Sequence, residues 1–279
     1  MSKLLCFVAL FGLAGSTCVR PKGDPAKSET RLALARDFLL KNQLEAAEAE
    51  ANKALGYLPT NEEAYNLRGL VHHLRAAKAM SLVEVEGCLT GLDADVLRQE
   101  IEQELGLAQA DFEKAYKLAP EFGEAWSNAG TAVLLLGDPD GARARFEQAL
   151  ANPARLLSPG LTRANLGWAF FEKKDLVSAG KELRQAIQFQ PGMCVATYRL
   201  GRVYFAREEW EKAAEQFQEV SDQPDCKSQE AALYLMKARL EQGLLDEARA
   251  AQAICLTRGA TSCMAAQCRT ASFDRGGAE

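Results

Sequence analysis

The stretch NLGWAFFEKKDLVSA, residues 165–179, alternates small residues with large apolar ones in an ordered way. With Gly160 numbered as position 1, Gly167 and Ala179 fall at positions 8 and 20, Leu166, Phe170 and Leu183 at positions 7, 11 and 24, and Pro191 at position 32. Small residues let two helices approach to about 8–10 Å, and large apolar residues fill the space that remains. The stretch therefore predicts two packed helices joined by a tight turn.

The same pattern recurs along the chain with a period of about 34 residues. Frames that begin at 123 and 194 match it well, and weaker frames begin near 28, 62 and 229. The pattern resembles the tetratricopeptide repeat (TPR), a helix-turn-helix unit. This resemblance implies an all-α, right-handed superhelical solenoid of about six repeats, which begin near residues 28, 62, 123, 160, 194 and 229 and together occupy residues 28–261.

Two segments depart from the repeating frame. The second repeat carries about 27 extra residues between its two halves, which predicts a helical insertion at about 74–107. After the last frame, residues 262–279 predict a C-terminal capping helix and tail, because a solenoid needs a polar end.

Composition and motifs argue against nucleic-acid binding and catalysis. The net charge is -5, and no basic stripe with interleaved aromatic residues is present, so nucleic acid is not an expected partner. The sequence has no GxSxG, Walker or HExxH motif, and its two histidines, His72 and His73, are adjacent and so point in different directions on a helix. We therefore expect no enzyme activity, no cofactor and no metal site.

The first residues have the layout of an export signal. Lys3 precedes an apolar run over residues 4–13, and small residues follow it, so residues 1–17 are predicted to be a signal peptide. An apolar run that ends in small residues and a cysteine resembles a bacterial lipoprotein signal, which implies lipidation at Cys18 and a short tether over residues 18–27. The alternative is cleavage after Ser16, which releases a soluble periplasmic protein.

The distribution of cysteines also fits an exported protein, in which neighbouring thiols are oxidised. Cys194 opens the fifth frame and Cys226 lies near its end, so a disulfide between them can staple two successive repeats. Cys255, Cys263 and Cys268 surround the final turn and can supply another. A zinc site is disfavoured because no CxxC pair occurs, whereas small buried thiols remain an alternative.

The TPR resemblance implies a partner-binding groove along helix A at positions 2, 5, 6, 9, 12 and 13. In the central repeats these positions hold two asparagines, four aromatic residues and an arginine, which are Asn128, Asn165, Trp168, Phe171, Tyr198, Phe205 and Arg202. Exposed rings often mark a partner site, and an asparagine amide can bind the backbone of an extended peptide. The alternative is that the rings are buried against neighbouring repeats.

The lipoprotein start, the repeat number and the C-terminal cysteines together resemble the TPR-type pilotins of type IV pilus systems, the PilF/PilW/Tgl lipoproteins. Within this group, the cysteines favour Tgl. The resemblance implies an outer-membrane lipoprotein, anchored on the periplasmic face by its lipid, that binds secretin subunits and promotes their localisation and oligomerisation. The alternative function is a TPR adaptor for other envelope or cell-wall assembly.

Overall fold

The computed structural model describes residues 23–85 and 92–273, and the predicted signal peptide and Cys18 lie outside these residues. Within the described residues the protein contains 13 α-helices and no strand. The helices are α1 (Pro25–Leu40), α2 (Leu44–Tyr57), α3 (Glu62–Val85), α4 (Leu92–Leu118), α5 (Gly123–Leu135), α6 (Pro139–Ala151), α7 (Pro159–Glu172), α8 (Leu176–Phe189), α9 (Cys194–Ala206), α10 (Trp210–Asp222), α11 (Gln229–Glu241), α12 (Leu245–Arg258) and α13 (Cys263–Arg269).

The first twelve helices form six consecutive helix pairs, α1/α2 to α11/α12, which we call the first to sixth repeats. Each pair packs against the next along the chain. The first helices of neighbouring repeats also contact one another, whereas the second helices make their main contacts with first helices. The first helices therefore form the inner layer of the array, and a groove runs along their exposed side.

Five of the six intra-repeat turns share one backbone feature. The residue at position 15 has a positive φ in each of them: Asn42 at 55°, Gly137 at 86°, Lys174 at 64°, Glu208 at 60° and Gly243 at 75°. This left-handed conformation suits glycine and asparagine and costs about 1 kcal/mol for other residues. The turn geometry is thus kept even where the residue type disfavours it.

The second repeat differs from the others in length. Its helices α3 and α4 contain 24 and 27 residues, which is about 36 and 40 Å of helix. Among the described residues of the predicted insertion, 74–85 continue α3 and 92–107 form the first part of α4. Outside the insertion, Arg68 on α3 donates two hydrogen bonds, of 2.7 and 2.6 Å, to the buried carboxylate of Asp111 on α4.

The array begins slightly earlier than the sequence frame indicates. The tether was expected to continue to residue 27, but α1 begins at Pro25. Asp24 accepts a hydrogen bond from the backbone N–H of Lys27, and the fixed φ of proline suits the first helical position. This capping signal lies upstream of the apolar pattern that set the predicted boundary.

At the C-terminal end, the short helix α13 covers the last repeat. The hydroxyl of Ser262 caps it by accepting a hydrogen bond from the backbone N–H of Ala265. The helix packs on α11 and α12 and buries Cys268. It therefore covers apolar surface that the sixth repeat would otherwise leave exposed.

Two disulfide bonds join described residues of the last two repeats and of the capping helix α13. Cys194, at the start of α9, is bonded to Cys226, which precedes α11, with 5.7 Å between their Cα atoms. Cys255 on α12 is bonded to Cys268 on α13, with 6.6 Å between Cα atoms. Cys263 is the first residue of α13. The first bond links the fifth repeat to the start of the sixth, and the second fixes the capping helix.

Candidate functional site

The groove contains a cavity between the third, fourth and fifth repeats, which we call the central cavity. Its volume is about 390 Å³, and its walls include Leu134 and Leu135 of α5, Asn165 and Trp168 of α7, and Arg199 of α9. Leu135 is 43% exposed, and Trp168 is half-buried. The cavity thus combines apolar walls with an amide and a guanidinium, as ligand-binding sites commonly do.

Polar side chains connect the first helices across the floor of the groove. Asn128 donates its amide N–H to the side-chain oxygen of Asn66, at 3.0 Å. Asn165 donates to the hydroxyl of Thr131, at 3.2 Å, and accepts from Arg199, at 2.7 Å. Both asparagines predicted to bind a peptide backbone therefore already bind side chains of neighbouring repeats, which orients their amides.

Three of the four predicted rings, all but Phe205, lie around one arginine together with Tyr234, which was not predicted. Four rings lie near the Arg202 guanidinium, with centres 4.0 Å away for Tyr234, 5.6 Å for Trp168, 5.7 Å for Phe171 and 5.8 Å for Tyr198. Arg202 also donates hydrogen bonds to the Tyr198 hydroxyl and to Glu230, at 2.7 and 3.1 Å. The cation thus has both aromatic rings and a carboxylate as close neighbours.

The expected row of solvent-facing rings is only partly present. Phe171 is buried, because Trp168 stacks on it with 4.5 Å between ring centres. Tyr198 and Phe205 are half-buried against Tyr234 of the sixth repeat. Burial raises the pKa of Tyr198 well above its usual value, so its hydroxyl remains protonated. Of the predicted rings, Trp168 is the one that lines the central cavity.

A second cavity lies in the first three repeats, and we call it the N-terminal cavity. It has a volume of about 440 Å³ and apolar walls that include Leu39, Leu67, Leu70 and Phe122. Arg155, in the short 3-10 turn after α6, lies 4.0 Å over the Phe122 ring and donates to carboxylates of the second repeat. That turn therefore forms one side of the cavity.

The N-terminal cavity was not predicted, although part of its signal is in the sequence. Groove positions in the first two repeats select six of its lining residues, which are Arg36, Leu39, Glu63, Asn66, Leu67 and Leu70. Our prediction applied those positions only to the central repeats. Arg155 and Leu157 lie in the connection between α6 and α7, away from the groove positions, so the frame gives no signal for them.

Comparison with known families identifies the repeat. A tetratricopeptide repeat model matches residues 103–156, 136–193 and 198–262, which together are more than half of the chain. The chain belongs to the tetratricopeptide repeat family. The predicted all-α TPR solenoid is therefore confirmed. A search among curated protein sequences gave no significant match.

Solved structures of TPR proteins share this architecture. PilW, a widely conserved type IV pilus biogenesis factor, is 20% identical with a TM-score of 0.70, and the match covers 87% of this chain and 98% of PilW. PilF of Pseudomonas aeruginosa is 14% identical with a TM-score of 0.65, over 88% of this chain and 97% of PilF. MamA from Desulfovibrio magneticus, from residue 41 to its end, is 17% identical with a TM-score of 0.52, over 71% and 93% of the two chains. These similarities establish a common fold.

The two histidines, His72 and His73, contribute to the packing of the second repeat. His72 lies 2.7 Å from a carboxylate oxygen of Glu104 and joins α3 to α4, and burial lowers the pKa of His73. Within residues 23–85 and 92–273, no cluster of three or more His, Cys, Asp or Glu side chains is arranged to hold a metal ion. None of the helices described there has both the length and the apolar character needed to cross a bilayer.

Proposed function

We propose that this TPR protein is an accessory factor of type IV pilus assembly that binds secretin subunits and promotes their oligomerisation at the outer membrane. The observation that carries the proposal is the agreement with PilW, whose fold this chain matches over 98% of the PilW chain. The match therefore extends along nearly the whole PilW chain.

The groove supplies a binding surface for this role. The N-terminal cavity and the central cavity both open on the first helices, so an extended segment of a partner can contact both. TPR arrays use such concave surfaces to bind other proteins. The proposed action is mechanical: the groove holds a secretin segment and leaves the secretin chemically unchanged.

Anchoring would add to this binding through local concentration. If Cys18 is lipidated, several buried acyl methylenes at about 0.8 kcal/mol each keep the chain at a membrane surface. Secretin subunits bound to many anchored copies then meet at a raised effective concentration, which favours oligomers without any new contact. In this proposal the lipid anchor holds the protein at the membrane, and the groove determines which protein it binds.

A capture experiment tests the proposal. The protein, tagged at its C-terminus, is isolated from detergent-solubilised envelopes, and bound proteins are identified by mass spectrometry. We expect the secretin, and we expect fewer secretin multimers in cells that lack the protein. Reproducible recovery of cell-wall enzymes without a secretin, together with normal multimer levels, would instead support a general envelope adaptor.

Variants with substitutions in the groove test whether the groove binds the secretin. Leu70→Glu places a charge in the N-terminal cavity, and Trp168→Ala removes a wall of the central cavity. Val177→Glu is the matched control, because Val177 is 76% exposed on α8, away from the groove. Both groove variants should capture less secretin than the control at equal abundance. Equal capture by all three would remove the groove from the proposal.

A further inference from the structure

Arg199 is a cation in the central cavity with an incomplete set of partners. It lies at position 6 of the fifth repeat, where the third and fourth repeats have Asn128 and Asn165. Among the described residues its guanidinium has one hydrogen-bond acceptor, the side-chain oxygen of Asn165 at 2.7 Å, and it lies 5.4 Å from the centre of the Trp168 ring. A guanidinium has five N–H donors, so most of its donor capacity remains for a ligand.

No carboxylate of the described chain pairs with Arg199, although acidic residues lie nearby. Glu230 is taken by Arg202, at 3.1 Å. Glu172 lines the same cavity, but no ion pair joins it to Arg199. By contrast, the partly buried Arg68, Arg155 and Arg163 each have a carboxylate partner within 3.3 Å. Arg258, which is also partly buried and has no carboxylate partner, instead donates to two backbone carbonyls, whereas Arg199 has one side-chain acceptor among the described residues.

The environment of Arg199 strengthens its attraction for an anion. Burial lowers the pKa of Arg199 to about 10, so its side chain is still charged at neutral pH but is poorly solvated. A cation in such surroundings gains more from an opposite charge than an exposed one does, because water screens the interaction less. The adjacent walls, which are formed by Leu134, Leu135 and Trp168, favour apolar neighbours of that charge.

We propose that the central cavity binds an acidic side chain within an extended, otherwise apolar segment of the partner, and that the carboxylate pairs with the guanidinium of Arg199. An internal acidic residue fits better than a chain terminus because the groove continues on both sides of the cavity. It extends to Asn128 and Asn66 in one direction and to Tyr234 in the other. The bound segment thus passes through the cavity with its side chain pointing in.

The inference rests on the proposed function for the identity of the partner, but its chemistry can be tested separately. The probe is a pair of N-acetylated, C-amidated nonapeptides with leucines on both sides of a central Glu or, in the twin, a central Gln. Binding to the purified chain is measured by calorimetry, and the indole N–H signal of Trp168 reports where the peptide binds. The Glu peptide should bind roughly tenfold or more tightly than its Gln twin and should shift the Trp168 signal.

Variants of the cavity make the test specific. Arg199→Gln should abolish the preference for the Glu peptide, whereas Glu172→Gln should tighten binding of that peptide by removing a like charge from the cavity. Arg143→Gln, which removes an exposed charge on α6, is the matched control and should leave the preference unchanged. Melting temperatures of all variants show that they fold. Equal binding of the two peptides, no binding of either, or a preference that survives Arg199→Gln would overturn the inference.

Measuring secretin capture distinguishes a failure of this inference from a failure of the proposed function. If secretin capture persists undiminished in Arg199→Gln, the function stands and the acidic contact is wrong. If the wild type captures no secretin but discriminates between the peptides through Arg199, the contact stands and the partner is a different protein. A peptide with an amidated side chain and a free C-terminal carboxylate that binds as well as the Glu peptide would also contradict the inference.

Discussion

The ring of Phe217 on α10 lies against the backbone of Gly201 on α9. A Cβ atom at residue 201 would lie 2.6 Å from the Cε1 atom of that ring. The same relationship joins Gly69 to Phe112 and Gly130 to Phe146, where the corresponding distance is 2.7 Å. The closest approach of the two helices in these three repeats therefore depends on the absence of a side chain at position 8.

Gly201→Ala is therefore expected to destabilise the protein by about 1–3 kcal/mol, because the buried ring of Phe217 must move to admit the methyl group. Gly106→Ala is the matched control, since a Cβ at residue 106 meets nothing within 4 Å in the long helix α4. That substitution should stabilise the protein by about 0.5–1 kcal/mol. Urea unfolding of both variants measures the difference. Equal stabilities would show that position 8 does not limit the packing.

Glu113 couples the second and third repeats through charge. Although burial raises the pKa of Glu113, hydrogen bonds from Gln109, Arg145 and Lys117 hold it down to about 2. Its usual value is 4.5, so the folded state favours the ionised carboxylate. The resulting stability is present above about pH 4.5 and is lost as the pH falls towards 2.

Glu113→Gln should therefore cost about 1–2 kcal/mol at pH 7, after allowance for solvent screening, and much less at about pH 2. The measurement is the free energy of unfolding of both proteins across this range. Glu147→Gln, in an exposed pair with Arg143, is the control and should change stability by less than about 0.5 kcal/mol at either pH. If the difference in free energy of unfolding between wild type and Glu113→Gln did not change with pH, the lowered pKa of Glu113 would be wrong.

The bond between Cys194 and Cys226 closes a loop with a sequence separation of 32. The loop-entropy model gives roughly 3–4 kcal/mol of stabilisation for a loop of this size. The Cys194→Ser, Cys226→Ser double variant should therefore melt well below the wild type. Alkylation of unfolded, unreduced protein checks the bond itself: these two thiols should resist modification, and their full alkylation would exclude it.

The half-buried ring of Trp168 should matter more for binding than for folding. Trp168→Ala is expected to weaken binding of the captured partner by about 2 kcal/mol or more, as aromatic hot spots do. Gly167→Leu should instead lower the melting temperature first, because a Cβ at residue 167 would already lie 2.8 Å from the Cγ atom of Leu183. Comparable loss of melting temperature in the two variants would mean that Trp168 is mainly a packing residue.

Lipidation at Cys18 is tested by its substitution. Cys18→Ser should release the mature chain into the soluble periplasmic fraction, because the thiol that receives the lipid is absent. Metabolic labelling with a fatty-acid analogue should mark the wild type and not the variant. Equal labelling of the two, or a soluble wild type, would favour cleavage after Ser16 and a soluble periplasmic protein.

The sequence predicts the fold well because TPR packing depends on local spacing. Each frame places its small and large residues within about 34 positions, so the pattern itself encodes the contact between the two helices of a repeat. The five described turns with a left-handed residue at position 15 show what this pattern does not predict. Lys174 and Glu208 give no signal for that conformation, because the packing of the two helices imposes it.

The groove was harder to predict because its chemistry arises between repeats. The frame selects Asn165, Trp168 and Arg202 as groove residues, but it does not show that Arg199 donates to Asn165 or that Tyr234 lies over Arg202. These contacts join residues that are at least 32 positions apart in sequence. They depend on the rotation between successive repeats, which no single frame contains.

The long helices of the second repeat give the array a region with its own local stability. Near the far end of their described parts, the contact between α3 and α4 buries mainly alanines, such as Ala76, Ala79 and Ala94, which contribute little apolar area. Amide hydrogens there are thus expected to exchange with solvent through sub-global opening, while the rings at the centre of the other repeats stay protected. The far end of the α3/α4 pair is therefore expected to open as a separate cooperative unit, so a ligand that bound its closed form would slow exchange there and would also stabilise the folded state by the same binding free energy.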